Sequence, residues 1–179
     1  MSEYYNMKIA GLERNLEKFP VSDKLDIAAF IIFGDVELTV KGCEELLKKV
    51  PEFDFIITPE AKSIPIAYEM SRQSGKPYII ARKGVKVYMR NPIEVNVQSI
   101  TTKNEQKLFL GETEVNMIKG KKVLIVDDVI STGESLASVR ELLLKAGAYE
   151  SAACAFLAEG DAADRDDIIF LEKLPLFFK

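Results

Sequence analysis

The sequence contains no histidine, and only two of its 179 residues are cysteine. The absence of histidine excludes the serine–histidine and cysteine–histidine pairs that activate many nucleophiles, and it excludes most zinc sites. Cys43 and Cys154 are far apart in the sequence and lack a metal-ligand spacing, so we interpret them as buried free thiols in a reducing compartment. The chemistry is left to carboxylates, hydroxyls, lysine, arginine and backbone amides, and oxygen ligands favour magnesium.

Long apolar runs are also missing. No run approaches the roughly 18 residues that span a bilayer, and the N-terminus lacks the basic and apolar blocks of a signal peptide. The net charge of -4 gives a nucleic-acid partner no general electrostatic attraction. We therefore expect a cytoplasmic protein without a membrane or nucleic-acid partner, and the length favours a single domain over residues 1–179.

Apolar strands alternate with amphipathic helices along the chain, which predicts an α/β fold with a mostly parallel central sheet flanked by helices. Strands are predicted at Ala28–Phe33, Phe53–Thr58, Pro77–Ala81, Lys122–Asp127, Ser151–Ala158, Ile168–Leu171 and Leu176–Phe178. Helices are predicted at Val36–Val50, Ile64–Ser74 and Glu134–Ala146. The polar, β-leaning segment Arg82–Leu110 predicts a two-stranded ribbon or a long mobile loop.

The segment Val123–Ser135, with the sequence VLIVDDVISTGES, carries the strongest chemical signal. A buried strand ends in Asp127 and Asp128, and a short turn then leads into a helix. Unpaired amides at a helix start, together with hydroxyls and a glycine, can cradle a phosphate. Two acids beside such a cradle suit a positive partner, such as magnesium, or the hydroxyls of a ribose. Taken alone, the STGE part is equally compatible with an ordinary capped helix start.

This segment resembles the motif of type I phosphoribosyltransferases that binds 5-phosphoribosyl 1-diphosphate (PRPP). The TPEAKSIP segment after the second strand resembles the pyrophosphate loop of the adenine enzymes, and Arg82-Lys83 resembles a pair that precedes their mobile loop. The ending LEKLPLFF is similar to the C-terminal strand of that family. The resemblance covers roughly residues 24–179 and is nearest to proteins related to adenine phosphoribosyltransferase.

The resemblance implies the type I fold with a small N-terminal hood, a mobile loop at about 84–110, and roles for individual residues. Asp127 and Asp128 would contact the ribose hydroxyls and take part in catalysis, directly or through Mg²⁺. The 5-phosphate and the ribose would be held by these acids and by Ser131, Thr132, Gly133, Glu134 and Ser135. Pyrophosphate would be bound by Glu60, Ala61, Lys62, Ser63, Arg82, Lys83 and Lys86. The three cations Lys62, Arg82 and Lys83 are also compatible with ordinary solvent-exposed positions.

The mobile loop and the base pocket depart from this pattern or follow it weakly. The adenine enzymes carry a glutamate in this loop where the present sequence has Thr101, and Lys103 is a candidate catalytic replacement or an ordinary surface lysine. Phe33 and Val129 are candidate contacts of the base, although an aromatic residue in an apolar strand is more often part of the core.

The resemblance implies transfer of ribose 5-phosphate from PRPP to a purine base, adenine first, in nucleotide salvage, by a homodimer. Two alternatives stay open at this level. One is a PRPP-binding regulator of the same fold without turnover, and the other is an enzyme of the xanthine or hypoxanthine type. A doubly wound nucleotide-binding domain without turnover is a third interpretation, which the full length of the motif disfavours.

Overall fold

The computed structural model describes residues 3–97 and 106–179. The strands are β1 (Tyr4–Ile9), β2 (Leu12–Ser22), β3 (Leu25–Ala28), β4 (Phe55–Pro59), β5 (Tyr78–Ala81), β6 (Ile93–Val97), β7 (Gln106–Leu110), β8 (Lys122–Ile130), β9 (Tyr149–Glu159), β10 (Ile169–Leu174) and β11 (Phe177–Phe178). The helices are α1 (Val36–Leu47), α2 (Ile64–Ser74), α3 (Glu112–Ile118), α4 (Glu134–Ala146) and a 3-10 helix at Gly160–Asp164.

A five-stranded sheet with the order β10-β9-β8-β4-β5 forms the centre of the fold, and every neighbouring pair in it is parallel. Successive side chains of a strand point to opposite faces of a sheet. Accordingly, Leu124 and Val126 of β8 pack with the buried residues of α1 and α2. Val123 and Ile125 pack on the other face with α4 and the ribbon of β6 and β7. This arrangement confirms the predicted α/β class with a parallel sheet covered by helices.

Local signals explain the helix boundaries. The Asp35 side chain accepts a hydrogen bond from the amide of Leu38 at 3.1 Å and caps the start of α1. The helices α2 and α4 both end at a glycine in the left-handed conformation, Gly75 at φ 70° and Gly147 at φ 70°, which only glycine adopts at little cost. Both helices therefore have the bounds that the sequence predicts.

The N-terminal residues form a second sheet, antiparallel, with the order β1-β2-β3-β11. Met7, Ile9 and Leu16 of this sheet are buried in the same core cluster as α1, α2 and one face of the central sheet. The ion pair between Arg14 and Asp35, with 2.6 Å between Nε and Oδ2, also joins β2 to the start of α1. This sheet is the counterpart of the expected hood, and whether it covers a ligand stays a prediction.

Two predicted elements need correction. The strand predicted at Ala28–Phe33 is wrong beyond Ala28, where β3 ends. Residues 29–33 lead from β3 to α1. Phe30 and Ile32 are buried and alternate with exposed Ile31 and Phe33, so the apolar pattern reflects core packing without strand pairing. The helix predicted at Val36–Val50 ends at Leu47, with Lys48 as its C-cap.

Within Arg82–Leu110, where the sequence predicts a two-stranded ribbon or a long mobile loop, the structure has a ribbon: β6 pairs antiparallel with β7, from Ile93↔Leu110 to Val97↔Gln106. The mobile loop at about 84–110 stays a prediction. Cys43 and Cys154 are buried free thiols, and burial raises the pKa of both. None of the helices in the described ranges combines the length and the apolar character that crossing a bilayer requires.

Candidate active site

The central sheet reverses its order of winding between β4 and β8. From β4 the chain continues to β5 on one side, whereas β8, β9 and β10 follow one another on the opposite side. Strands β4 and β8 pair only from Phe55↔Val123 to Ile57↔Ile125, and both continue beyond that point. Their carboxyl ends therefore leave a crevice, and this is the position where open α/β sheets bind ligands.

A cavity of about 350 Å³ occupies this crevice. It unites residues of the loop after β4, the end of β8, the start of α4 and the ribbon, which are Pro59, Glu60, Ala61, Lys62, Ser63, Lys83, Val97, Leu108, Asp127, Asp128, Val129 and Ser135. Nine of these twelve were predicted as site residues. Pro59, Val97 and Leu108 were not, and the last two reach the cavity because the ribbon folds over this end of the sheet.

The loop after β4 is fixed by a buried serine. The Ser63 hydroxyl accepts a hydrogen bond from Thr58 Oγ1 at 2.6 Å and donates one to the Pro59 carbonyl at 3.2 Å. The peptide bond between Glu60 and Ala61 is cis. Ala61 and Lys62 are exposed at the turn, so this loop presents a cation and backbone groups to the cavity.

The strand predicted at Lys122–Asp127 is too short, because β8 extends to Ile130 and pairs with β9 as far as Ile130↔Ala158. The two acids therefore lie within the strand and not at its end. Asp128 is 3% exposed, and its Oδ2 atom lies 2.9 Å from Lys62 Nζ. The pair lacks hydrogen-bond geometry, since Oδ2 has no hydrogen-bond partner among the described residues. Asp127 borders the cavity, and burial together with the neighbouring charge of Asp128 raises its pKa. Its Oδ1 atom accepts a hydrogen bond from the Asp128 amide at 2.9 Å.

The turn between β8 and α4 carries the predicted phosphate cradle. Gly133 has a φ of 82° and is the N-cap residue of α4, and without a side chain it cannot accept from the first amides of the helix. Ser131 and Thr132 are exposed, and Ser135 lines the cavity. The Glu134 amide donates a long hydrogen bond of 3.5 Å to Thr132 Oγ1, and the N-cap residue supplies no side-chain cap, so the positive end of α4 keeps amides for an anion. The predicted residues Ser131, Thr132, Gly133 and Glu134 do not line the cavity.

Arg82 and Lys83 have different surroundings. Lys83 lines the cavity, and its amide donates to Glu60 Oε2 at 2.9 Å. The Arg82 side chain borders a separate cavity with Tyr88 and Met117. Its Nη2 atom donates to the Tyr88 hydroxyl at 3.0 Å, and its Nη1 atom lies 3.8 Å from Glu60 Oε1. Lys83 thus joins Lys62 as a cation at the crevice, and Arg82 does not line it.

The remaining predicted residues lie elsewhere. Lys86 belongs to a turn closed by the Met89 amide, which donates to the Lys86 carbonyl at 2.9 Å, and neither its side chain nor that of Phe33 lines the cavity. Phe33 is 53% exposed. Lys103 and Thr101 lie outside the described residues, so their roles stay predictions.

The carboxylates fit magnesium in one particular way. Among residues 3–97 and 106–179, no group of three or more acidic, histidine or cysteine side chains could hold a metal ion. Mg²⁺ commonly takes one or two carboxylates and completes its shell with water and substrate phosphates. The Asp127–Asp128 pair, with an Asp128 oxygen that lacks a hydrogen bond, fits that mode.

Comparisons with known proteins agree with this geometry. A family model described as the phosphoribosyl transferase domain matches residues 34–174. A hypoxanthine/guanine phosphoribosyltransferase of Methanohalobium evestigatum is 31% identical over 162 residues, which are 86% of this chain and 82% of that protein. Its counterpart in Methanothermococcus okinawensis is 42% identical over 98 residues, which are 55% of this chain and 50% of that protein. This chain therefore spans only about half the length of some curated relatives that it matches.

Solved structures share the fold at low identity. The adenine phosphoribosyltransferase of Thermoanaerobacter pseudethanolicus superposes with a TM-score of 0.73 at 19% identity, covering 88% of this chain and 95% of that one. The Giardia lamblia enzyme complexed with 9-deazaadenine gives a TM-score of 0.66 at 14% identity, covering 95% of this chain and 93% of that one. Similarity at this level concerns the architecture of the chain.

Proposed function

The chain belongs to the phosphoribosyltransferase family, and on that premise we propose that it transfers the ribose 5-phosphate of PRPP to a purine base and releases pyrophosphate. One observation carries the proposal. The acid pair of β8 lies in the crevice between β4 and β8, with a cationic loop on one side and the open start of α4 on the other. PRPP has the matching order of groups, since its ribose separates a pyrophosphate from a 5-phosphate.

The reaction breaks the bond between C1 of the ribose and the pyrophosphate oxygen, whose electron pair leaves with pyrophosphate. A nitrogen of the base forms the new bond to C1, and its proton passes to the departing pyrophosphate or to solvent. The transition state is a cationic sugar ring, so the residues assist mainly by positioning and by charge. Asp127 and Asp128 would orient the ribose hydroxyls and stabilise the positive ring.

The leaving group would be stabilised by cations at the other side of the crevice. Lys62 and Lys83 would bind the pyrophosphate, together with the amides of the turn at Ala61. Magnesium, when bound, would neutralise pyrophosphate oxygens and lower the charge of the leaving group. The ion pair between Lys62 and Asp128 would open as PRPP enters, because the lysine then gains phosphate oxygens as partners.

The acceptor is a purine, and the relatives favour hypoxanthine and guanine over adenine. The curated relatives at 31–42% identity are named hypoxanthine/guanine phosphoribosyltransferases. The likeness to adenine enzymes stays below 20% identity and so concerns the fold. Adenine, the first expectation from the sequence motifs, is the competing acceptor.

One assay tests activity and acceptor together. The protein is incubated with PRPP and Mg²⁺, with adenine, hypoxanthine, guanine, xanthine or a pyrimidine base in separate reactions, and pyrophosphate release and nucleotide formation are followed. We expect turnover with at least one purine and none with pyrimidines. The Asp127→Asn, Asp128→Asn double variant serves as the inactive control, and an exposed-acid variant, Asp161→Asn, serves as the matched active control.

The regulatory alternative makes a distinct prediction in the same experiment. A protein that only senses PRPP would bind it in a calorimetric titration and release no pyrophosphate with any base. That combination of results would refute the enzymatic proposal and support the alternative. Absence of both binding and turnover would contradict each of them.

We further expect a cytoplasmic homodimer acting in purine salvage. The free thiols of Cys43 and Cys154 suit a reducing compartment, and the dimer follows from the family resemblance. Light scattering coupled to size-exclusion chromatography measures the mass directly, and a particle of one 20.0 kDa chain would contradict the dimer.

A further inference from the structure

Arg165 is the first residue after the 3-10 helix Gly160–Asp164, and its side chain reaches the start of α4. A Cβ atom placed on Gly133 would collide with Nη1 of Arg165 and would lie 3.5 Å from its Cζ atom. The guanidinium therefore packs directly against the backbone of the turn Ser131–Ser135. Gly133 is needed here for two reasons, its φ of 82° and the space that the arginine occupies.

The orientation of this guanidinium is fixed by a carboxylate. Arg165 Nε and Nη2 donate to the two oxygens of Asp167 at 2.8 and 2.7 Å. Asp167 Oδ2 also accepts from Arg140 Nη1 of α4 at 2.8 Å, and Arg140 is held in turn by Glu150. The two arginines hold the pKa of Asp167 well below its usual range, so the clamp stays charged at neutral pH.

These contacts leave one side of the guanidinium unused. Within the described residues, Arg165 Nη1 makes no hydrogen bond, and this is the nitrogen that lies against Gly133. The Arg165 side chain is 30% exposed and lies beside the turn, outside the residues that line the cavity of about 350 Å³. Because the guanidinium is planar and Asp167 holds its Nε and Nη2 atoms, the N–H groups of Nη1 point in a fixed direction.

The charge of the turn explains why an arginine belongs there. The segment Val123–Ser135 contains the acids Asp127, Asp128 and Glu134 and no lysine or arginine. A phosphate dianion at the start of α4 would meet these acids, and the helix dipole corresponds to only about half an elementary charge. A cation from another part of the chain would therefore strengthen the binding of the phosphate.

We propose that Arg165 binds the 5-phosphate of the substrate, with Nη1 donating to a phosphate oxygen held by the turn Ser131–Ser135. Asp167 and Arg140 are positioning residues that aim the guanidinium. This inference rests on the proposed function and adds a phosphate contact from the connection between β9 and β10 to those of the β8–α4 turn.

Calorimetric titration with two separate ligands tests it. Ribose 5-phosphate reports on the 5-phosphate site, and inorganic pyrophosphate with Mg²⁺ reports on the other end of the crevice. Loss of one charge-assisted hydrogen bond should weaken the binding of ribose 5-phosphate by about 10- to 100-fold in Arg165→Ala. The affinity for pyrophosphate should be unchanged, and KM for PRPP should rise more than kcat falls.

The matched control is Lys173→Ala. Lys173 Nζ lies 3.2 Å from Asp164 Oδ1 in the same region, and the lysine is 63% exposed. The substitution therefore removes one positive charge, as Arg165→Ala does, without changing a contact with the turn. The affinity of this variant for ribose 5-phosphate should equal that of the unchanged protein. Arg165→Lys, which keeps the charge and loses the fork, should fall between the unchanged protein and Arg165→Ala.

The outcomes separate the inference from the proposed function. An unchanged protein that binds neither ribose 5-phosphate nor PRPP would overturn both. Binding by the unchanged protein with equal affinity in Arg165→Ala would overturn the inference alone, as would an equal loss for both ligands or an equal loss in Lys173→Ala. If Arg165→Ala does not fold, Arg165→Lys decides, and an unchanged ratio of the two affinities would refute the inference.

Discussion

Replacing Asp127 with asparagine is expected to stabilise the ligand-free fold at alkaline pH while it abolishes turnover. Protein atoms surround Asp127 on most sides, and burial and the charge of Asp128 raise its pKa. The folded protein thus retains a proton on Asp127 at pH values where the unfolded chain has lost it. The free energy of unfolding therefore falls as the pH rises above about 4. Asparagine cannot ionise and escapes this loss.

The magnitude follows from the linkage between proton binding and stability. Each unit of raised pKa corresponds to about 1.4 kcal/mol once the carboxyl is ionised in both states. We expect Asp127→Asn to equal the unchanged protein near about pH 4 and to exceed its unfolding free energy by about 1–3 kcal/mol near about pH 9. In the unchanged protein the Asp128 amide donates a hydrogen bond to Asp127 Oδ1 at 2.9 Å. Asparagine has nearly the same shape as aspartate, and its side-chain oxygen can accept the same hydrogen bond.

Urea denaturation at several pH values measures this difference, and the transferase assay measures the loss of function in the same samples. The value of kcat/KM should fall by at least about 100-fold, because asparagine cannot supply a negative charge to the cationic transition state at any pH. Asp161→Asn controls for the loss of one carboxylate at an exposed position. A stability difference that does not grow with pH, or a variant less stable at alkaline pH, would refute the electrostatic reasoning.

Three further predictions concern other parts of the structure. Lys62→Ala should weaken pyrophosphate binding by about tenfold in calorimetry, because Lys62 Nζ lies at the cavity beside Asp128, and unchanged affinity would contradict its role. Gly133→Ala should lower the free energy of unfolding by about 1–2 kcal/mol from its left-handed backbone alone, plus the collision with Arg165. In a protein that already carries Arg165→Ala, Gly133→Ala should cost only the backbone contribution to the free energy of unfolding. An equal cost with and without Arg165→Ala would exclude the collision. Gly42→Ala should lower the melting temperature, although alanine favours helices over glycine. The new Cβ would collide with the buried ring of Phe156, and such overpacking costs about 1–3 kcal/mol. A higher melting temperature would show that the ring adapts.

The sequence predicts those parts of the fold that depend on local rules. Helices α2 and α4 are found at the predicted bounds because a glycine terminates each of them, Gly75 and Gly147. The residues Asp127, Asp128, Lys62 and Lys83 meet at one cavity, since parallel strands bring their carboxyl ends to the same edge. A motif on one strand and a loop after another therefore suffice to locate the crevice.

The sequence does not predict features that depend on contacts between residues far apart in the chain. Residues 30–33 have the apolar character of a strand but pair with no neighbouring strand in the described structure. Only the tertiary structure therefore distinguishes them from a strand. The helix α3 is followed by a left-handed glycine, Gly120 at φ 72°, but its seven residues are too few to show a helical period in the sequence. Arg165 belongs to the connection between β9 and β10 and contacts Gly133 at the start of α4. No spacing in the sequence indicates that contact.

The early separation of β4 from β8 has a consequence for the energetics of the whole domain. Three residue pairs join the two halves of the central sheet, and past Ile57 and Ile125 each strand keeps only its outer neighbour. Beyond those pairs, the two halves are held together at this edge without a shared ladder of backbone hydrogen bonds. A ligand that binds in the gap would contact both halves, and the free energy of unfolding would then rise with the concentration of that ligand.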